Sequence, residues 1–154
     1  MSVRFAYPRP LKSHLAIVRG MPLTDLGPTL DPTHLAVARW PSGWRPTQLP
    51  TGFFGLVEDD DEVTLVCAEQ AQPDGAIEVE SGWRRITFAG PLPWEQVGFL
   101  ADVASRLAGA QIPFTSMAGF TTDHVLVRAA QADLAVAVLR GEAPPPARPG
   151  TTNP

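Results

Sequence analysis

The chain has 154 residues, of which 44% are hydrophobic and 18% charged, and its formal net charge is −4. A net negative charge argues against a nucleic-acid-binding surface, which needs clustered lysine and arginine. The single cysteine, Cys67, excludes an internal disulfide and favours a reducing compartment. No apolar run approaches the roughly 18 residues of a membrane helix, and the first residues lack the apolar core of a signal peptide. We therefore expect a cytoplasmic protein that binds neither nucleic acid nor membranes.

The first half of the chain predicts strands and loops. We expect an N-terminal arm over residues 1–12 and a first folded unit over residues 13–72. This unit begins with two similar strands, His14–Gly20 and His34–Trp40. Their similarity reflects either an old duplication or, the interpretation that we favour, the same burial requirement. A hairpin follows, and its acidic run Glu58–Glu62 lacks the glycine and ligand alternation of a calcium loop, so we interpret it as a solvated turn.

The second half predicts alternating strands and helices. A linker over residues 73–82 leads to a unit over residues 83–141, and the proline-rich tail, residues 142–154, should be disordered. The unit has the pattern of a strand, a helix from near Trp94, two strands joined by a tight turn, and a helix that ends at Gly141. The first helix places apolar residues on one face: Val97, Leu100, Ala101, Ala104, Leu107 and Ala108. This order predicts an α+β, ferredoxin-like fold with helices on one face of an antiparallel sheet.

A glycine at the start of the first helix indicates a site for a small anion. The backbone N–H groups of Gly98 and Phe99 and the positive end of the helix dipole would point at such a ligand. An amino acid also needs an acceptor for its ammonium group, and Asp123, between two strands, is the best candidate, with the Thr122 hydroxyl beside it. Asp123 could equally bond its own turn, and Gly98 could serve helix packing.

Metal and catalytic sites are not indicated. The three histidines do not have the spacing of metal ligands. No nucleophile-elbow pattern surrounds Ser116, and the adjacent Asp123 and His124 point to opposite faces of a strand. Cys67 fits a small buried residue better than a catalytic thiol. We therefore expect no metal, no cofactor and no enzymatic activity.

The helix start resembles that of an ACT domain. ACT domains have an acidic-x-Pro-Gly-x-Leu-x-x-Val pattern there, and Glu95–Val103 is similar to it, with Val97 where proline is common. The continuation Leu107–Ile112 resembles the approach to the next ACT strand.

Three further segments are similar to those of the CASTOR-type, tandem-ACT proteins: Glu62–Cys67, Trp83–Leu92 and Thr122–Val127. The resemblance implies two tandem ACT units of the βαββαβ type, the first of them reduced, which bind an amino acid without catalysis. It also implies assembly, by default as a homodimer, through ACT–ACT contacts. The implied ligand-binding residues are Val97, Gly98, Phe99, Phe120, Thr122 and Asp123.

One departure from the family pattern keeps two functions open. Where the family usually has Ser-Thr-Tyr before its Thr-Asp pair, this chain has Ala118-Gly119-Phe120, so the two hydroxyls of the Ser-Thr pair are missing at Ala118 and Gly119. The first function is a regulatory protein that binds an amino acid. The alternative is a structural adaptor that keeps the ACT fold for oligomerisation and has lost its ligand.

Overall fold

In this computed structural model, which describes residues 23–142, a six-stranded antiparallel sheet carries two α-helices. The predicted α+β fold is confirmed. The predicted arm, the strand His14–Gly20 and all of the tail after Glu142 lie outside the described residues. The elements are β1 (Thr29–Pro41), β2 (Gly55–Glu58), β3 (Glu62–Ala68), β4 (Glu78–Thr87), α1 (Phe99–Gly109), β5 (Phe114–Ala118), β6 (Asp123–Arg128) and α2 (Ala132–Arg140).

Strand β1 connects the two halves of the chain. The sheet order is β2-β3-β1-β4-β6-β5, so β1 pairs with β3 on one side and with β4 on the other. Its pairing with β4 shifts between Leu30 and His34, where Pro32 has no N–H to donate to the ladder. In the βαββα run from β4 to α2, β1 occupies the position beside β4 that a final strand of the ferredoxin-like unit would take. The fourth and final strand of the predicted βαββαβ unit therefore comes from the first half of the chain.

The boundaries in the middle of the chain differ from the predicted ones. Strand β4 begins at Glu78, so Glu78, Val79 and Glu80, which we expected in the linker, pair with β1. In the first half, the described residues form β1, β2, β3 and short 3-10 turns, with no α-helix. The division into two tandem units stays a prediction.

The helices cover one face of the sheet, which we call the helix face and which carries Ile86, Val125 and Val127. Helix α1 buries Phe99, Val103 and Leu107 against it, a spacing of about one helical turn. Helix α2 ends at Gly141, as predicted, with a left-handed φ of 74°.

The predicted start and apolar face of α1 are both wrong. The helix begins at Phe99, since Gly98 has a left-handed φ of 90° and ends the preceding loop. Val97 therefore lies outside the helix with 90% of its surface exposed, and Leu100 is also exposed. The buried stripe follows Phe99, and of the predicted face only Leu107 is fully buried.

The opposite face of the sheet, which we call the concave face, is also largely covered. It carries Leu35, Val66 and Leu126, against which Phe53, Trp83 and Met117 pack. Gly55 in β2 and Met117 in β5 lie on the two edge strands, yet a Cβ added to Gly55 would clash with the Met117 thioether. The sheet therefore curls until its edges approach each other.

The first-half hairpin has a local turn of its own. The Asp59 carboxylate accepts the backbone N–H groups of Asp61 and Glu62, each at 2.9 Å, which agrees with a solvated turn. Trp44, in the proline-rich loop, stacks on buried Trp40 with ring centroids 4.2 Å apart.

Neither helix in residues 23–142 is long and apolar enough to cross a membrane.

Candidate functional site

A hollow of about 150 Å³ opens beside the start of α1. Its walls are the loop before the helix and the turn between β5 and β6. We call it the helix-mouth hollow, and its lining residues are Leu92, Pro93, Trp94, Gln96, Phe99, Ala118, Gly119, Phe120, Thr121, Thr122 and Asp123.

The turn between β5 and β6 is held in a narrow shape by backbone contacts. The Gly119 N–H donates to the Thr122 carbonyl at 2.9 Å, and the Leu92 N–H donates to the Thr121 carbonyl at 2.7 Å. A Cβ at Gly119 would lie 2.8 Å from the Thr122 oxygen. Glycine at this position is therefore required by the close approach of two backbone segments, and it explains the absence of a hydroxyl there.

The start of α1 presents free backbone donors. The first helical bond runs from the Asp102 N–H to the Gly98 carbonyl at 2.9 Å, so the N–H groups before Asp102 have no intrahelical acceptor. Within residues 23–142, no side chain caps this end. These amides, together with the helix dipole, make the helix start a favourable position for a negatively charged group.

A carboxylate faces the same hollow from the other wall. Asp123 begins β6, pairs with Ala118 and lines the hollow, and it is half-buried. The Thr122 hydroxyl bonds only weakly, to the carbonyls of Phe88 at 3.5 Å and Asp123 at 3.4 Å. The hollow is therefore lined both by Phe99, the first residue of α1, and by the Asp123 carboxylate.

The structure brings together four of the six residues predicted to bind a ligand. Phe99, Phe120, Thr122 and Asp123 line the hollow. Gly98 is not among the lining residues but sets the direction of α1, and Val97 points into solvent. That these residues contact a ligand stays a prediction.

Sequence reasoning missed Trp94 as part of this site. Trp94 meets Phe120 edge to face, with ring centroids 5.5 Å apart, although 72% and 79% of their surfaces are exposed. Large aromatic residues are unusual in such exposed positions. The prediction of a helix from near Trp94 concealed this role, while the flanking Pro91 and Pro93 were a signal for a loop.

The residues of a conceivable hydrolytic site are kept apart. His124 lies on the concave face and meets Phe53 edge to face at 4.9 Å, whereas Asp123 faces the hollow. Burial raises the pKa of the Cys67 thiol, which disfavours the reactive thiolate. In residues 23–142, no group of three or more His, Cys, Asp or Glu side chains could hold a metal ion.

The second half of the chain matches a known family model. Residues 78–141 match the family model of the ACT domain, which covers β4 to α2 and includes the whole hollow. The sequence has no significant match among curated proteins.

Solved structures extend the similarity to the rest of the sheet. Protein Atu0741 from Agrobacterium tumefaciens is 26% identical, with a TM-score of 0.64 over 71% of this chain and 83% of that one. A Vibrio cholerae protein of unknown function, described as a possible transport protein, is 24% identical, with a TM-score of 0.60 over 80% and 94%. The regulatory subunit of aspartate kinase from Thermus thermophilus is 10% identical, with a TM-score of 0.54 over 77% and 97%. The ferredoxin-like ACT fold is therefore shared with these proteins.

Proposed function

We propose that this protein is a non-enzymatic regulatory protein that binds a small amino acid in the helix-mouth hollow. The observation that carries the proposal is that Phe99, the first residue of α1, and Asp123 line the same hollow. A free amino acid needs both partners at once, because it carries a carboxylate and an ammonium group.

The lining of the hollow supports this assignment of charges. The ligand carboxylate would accept from the amides at Gly98 and Phe99, and its ammonium group would donate to Asp123. The side chain of the bound amino acid would contact Phe99 and Phe120. About 150 Å³ is small beside drug-sized pockets of roughly 300–1,000 Å³, so the hollow by itself suits a short side chain.

The turn geometry limits where the polar contacts come from. Ala118 and Gly119 contribute no hydroxyl, and Gly119 has no room for a side chain. Recognition would depend on Thr122, Asp123 and the α1 amides. A ligand different from that of the CASTOR-type proteins follows from this substitution.

The ACT match and the shared fold with a regulatory subunit support a regulatory rather than a catalytic role. We include in the proposal a CASTOR-type relationship, a cytoplasmic location and a homodimer. The exposed apolar residues beside the hollow, Trp94, Val97 and Phe120, would be covered by a second copy. Ligand binding at that contact would then alter assembly.

The test is a thermal-shift screen of the full chain against the twenty amino acids. A ligand at 100 times its Kd adds about 2.7 kcal/mol of stability, which corresponds to a rise in melting temperature on the order of 10 °C. We expect Asp123→Ala to remove that rise and to leave the melting temperature without ligand nearly unchanged. The matched control is Asp102→Ala. It removes an exposed carboxylate from the first turn of α1, outside the hollow.

A structural adaptor is the second candidate, favoured by the missing hydroxyls at Ala118 and Gly119. It predicts flat melting curves for every amino acid and an unchanged dimer by light scattering. A rise that persists in Asp123→Ala would instead place the ammonium partner elsewhere and contradict the proposed site.

A further inference from the structure

A second and larger cavity lies on the concave face of the sheet, on the opposite side from the helix-mouth hollow. Its volume is about 440 Å³, within the roughly 300–1,000 Å³ range of small-molecule sites. Leu35 and Ala68 line it from the sheet, Phe53 lines it from the loop before β2, and Asp31 and Arg85 contribute the charged groups. We call it the concave-face cavity.

Arg85 is only partly satisfied in this cavity. One terminal nitrogen donates to the Asp31 carboxylate, and the Phe53 ring covers the guanidinium at 4.1 Å from centroid to carbon. The Nε atom is buried and, among the described residues, has no hydrogen-bond partner. A buried donor without an acceptor is unfavourable, the more so on a charged group. The guanidinium therefore keeps hydrogen-bonding capacity that Asp31 does not satisfy.

Two more unpartnered buried nitrogens lie on the same face. In residues 23–142, the buried side-chain nitrogens without a partner are Arg85 Nε, Trp83 Nε1 and His124 Nδ1. The alternation of β4 and β6 places all three on the concave face, because Arg85 pairs with Leu126 and Thr87 pairs with His124. Within residues 23–142, the buried nitrogens without a partner are therefore concentrated on the face that contains the cavity.

The charges around the cavity select the kind of occupant. Asp31 and Arg85 cancel each other, so a bare anion would be repelled by Asp31 and a bare cation by Arg85. A zwitterion avoids both penalties, because its carboxylate accepts from the Arg85 guanidinium while its ammonium group donates to Asp31. The Asp31 oxygens accept from Arg85 and from the Thr33 N–H at 2.8 Å, and each carboxylate oxygen can accept a second bond. Phe53 and Leu35 give an apolar wall for a short side chain.

We propose that the concave-face cavity is a binding site for a small zwitterion of the α-amino-acid class. This site is separate from the helix-mouth hollow, and its existence does not depend on whether the hollow is occupied. The chain would then have a ligand site on each face of the sheet, with Asp123 lining one site and Arg85 the other.

The test observes Arg85 directly by NMR of the ¹⁵N-labelled full chain during titration with each of the twenty amino acids. We expect a saturable shift of the Arg85 Nε–H resonance with at least one of them. Acetate and methylammonium, which carry one half of the zwitterion each, should bind at least about tenfold more weakly. Equal affinity for acetate would show an anion site and overturn the inference.

Variants at the mouth of the cavity avoid disturbing the ion pair. Thr51 is exposed and lines the cavity, so Thr51→Trp should close the mouth and weaken binding at least about tenfold. Leu49→Trp, on the same loop at an exposed position outside the lining, is the matched control and should bind normally. No shift with any amino acid at millimolar concentration, or full binding by Thr51→Trp, would overturn the inference.

Asp123→Ala separates this site from the proposed function. A response of Arg85 that survives Asp123→Ala supports the concave-face cavity. Binding that is lost in Asp123→Ala and kept in Thr51→Trp would overturn this inference and leave the function proposed for the hollow intact.

Discussion

Asp31 shows how one charged residue makes stability depend on pH. Burial raises the pKa of this carboxyl, but the hydrogen bonds from Arg85 and from the Thr33 N–H outweigh it and lower the pKa from 3.8 to about 2. A folded-state pKa below the unfolded value stabilises the fold above the unfolded pKa. That contribution is lost as the pH falls through the folded pKa.

We therefore expect the wild type to lose about 2 kcal/mol of unfolding free energy relative to Asp31→Asn between pH 4.5 and pH 2. Urea unfolding of both proteins at several pH values measures the difference. Curves that stay parallel through this window would show that Asp31 is not held ionised by Arg85.

At the candidate site, sequence could predict the residues whose role depends on their neighbours in the chain. Gly98 before a helix and Asp123 beside a turn are local signals. The roles of Trp94 and Arg85 depend on what folds over them: Phe120 comes from a turn 26 positions later, and Phe53 from a loop 32 positions earlier. Contacts of this kind have no periodic signature.

At the scale of elements, α1 contains two glycines with opposite effects on its stability. Gly98 precedes the helix with a φ of 90°, a conformation that strains any residue with a Cβ. Gly109 is the last residue of the helix, and its φ is not in the left-handed region, so a Cβ is tolerated there.

We expect Gly98→Ala to destabilise the protein by about 1 kcal/mol and Gly109→Ala to stabilise it by about 0.5 kcal/mol. There is open space around Gly98, so a loss there reports backbone strain and not a steric clash. Chemical denaturation of both variants measures the two effects. A Gly98→Ala variant as stable as the wild type would mean that Gly98 does not hold the left-handed conformation before α1.

Element identity was predictable where the pattern is local, and element boundaries were not. The apolar strands β3 and β6, the helix α2 and its end at Gly141 follow the predicted positions closely. The start of α1 was wrong because apolar residues before Gly98 imitate the helical period. Strand β4 was predicted too short because the mostly polar segment Glu78–Gly82 gives no burial pattern, while Glu78, Val79 and Glu80 pair with β1.

At the scale of the whole molecule, the curl of the sheet is the feature that creates the concave-face cavity. The contact between Gly55 and Met117 joins the two edge strands. A larger residue at position 55 would have to displace Met117 or open the curl.

We expect Gly55→Val to destabilise the protein by about 1–3 kcal/mol, the usual effect of overpacking. Met117→Ala in the same chain should restore part of this loss, so the two changes should be non-additive. A double-mutant cycle from urea unfolding measures the coupling. Strict additivity would mean that the edge strands do not meet.

The central position of β1 has a consequence for the order in which the molecule forms during synthesis. Strand β1 emerges from the ribosome well before β4, whose first residue follows the end of β1 by 37 positions. At roughly 5–20 residues per second, the 19 positions from the end of β3 to the end of β4 take about 1–4 s, so β1 can pair with β3 before it can pair with β4. During that interval the three-stranded sheet β2-β3-β1 leaves the β1 edge open, and a strand of another nascent chain on the same messenger could pair with it.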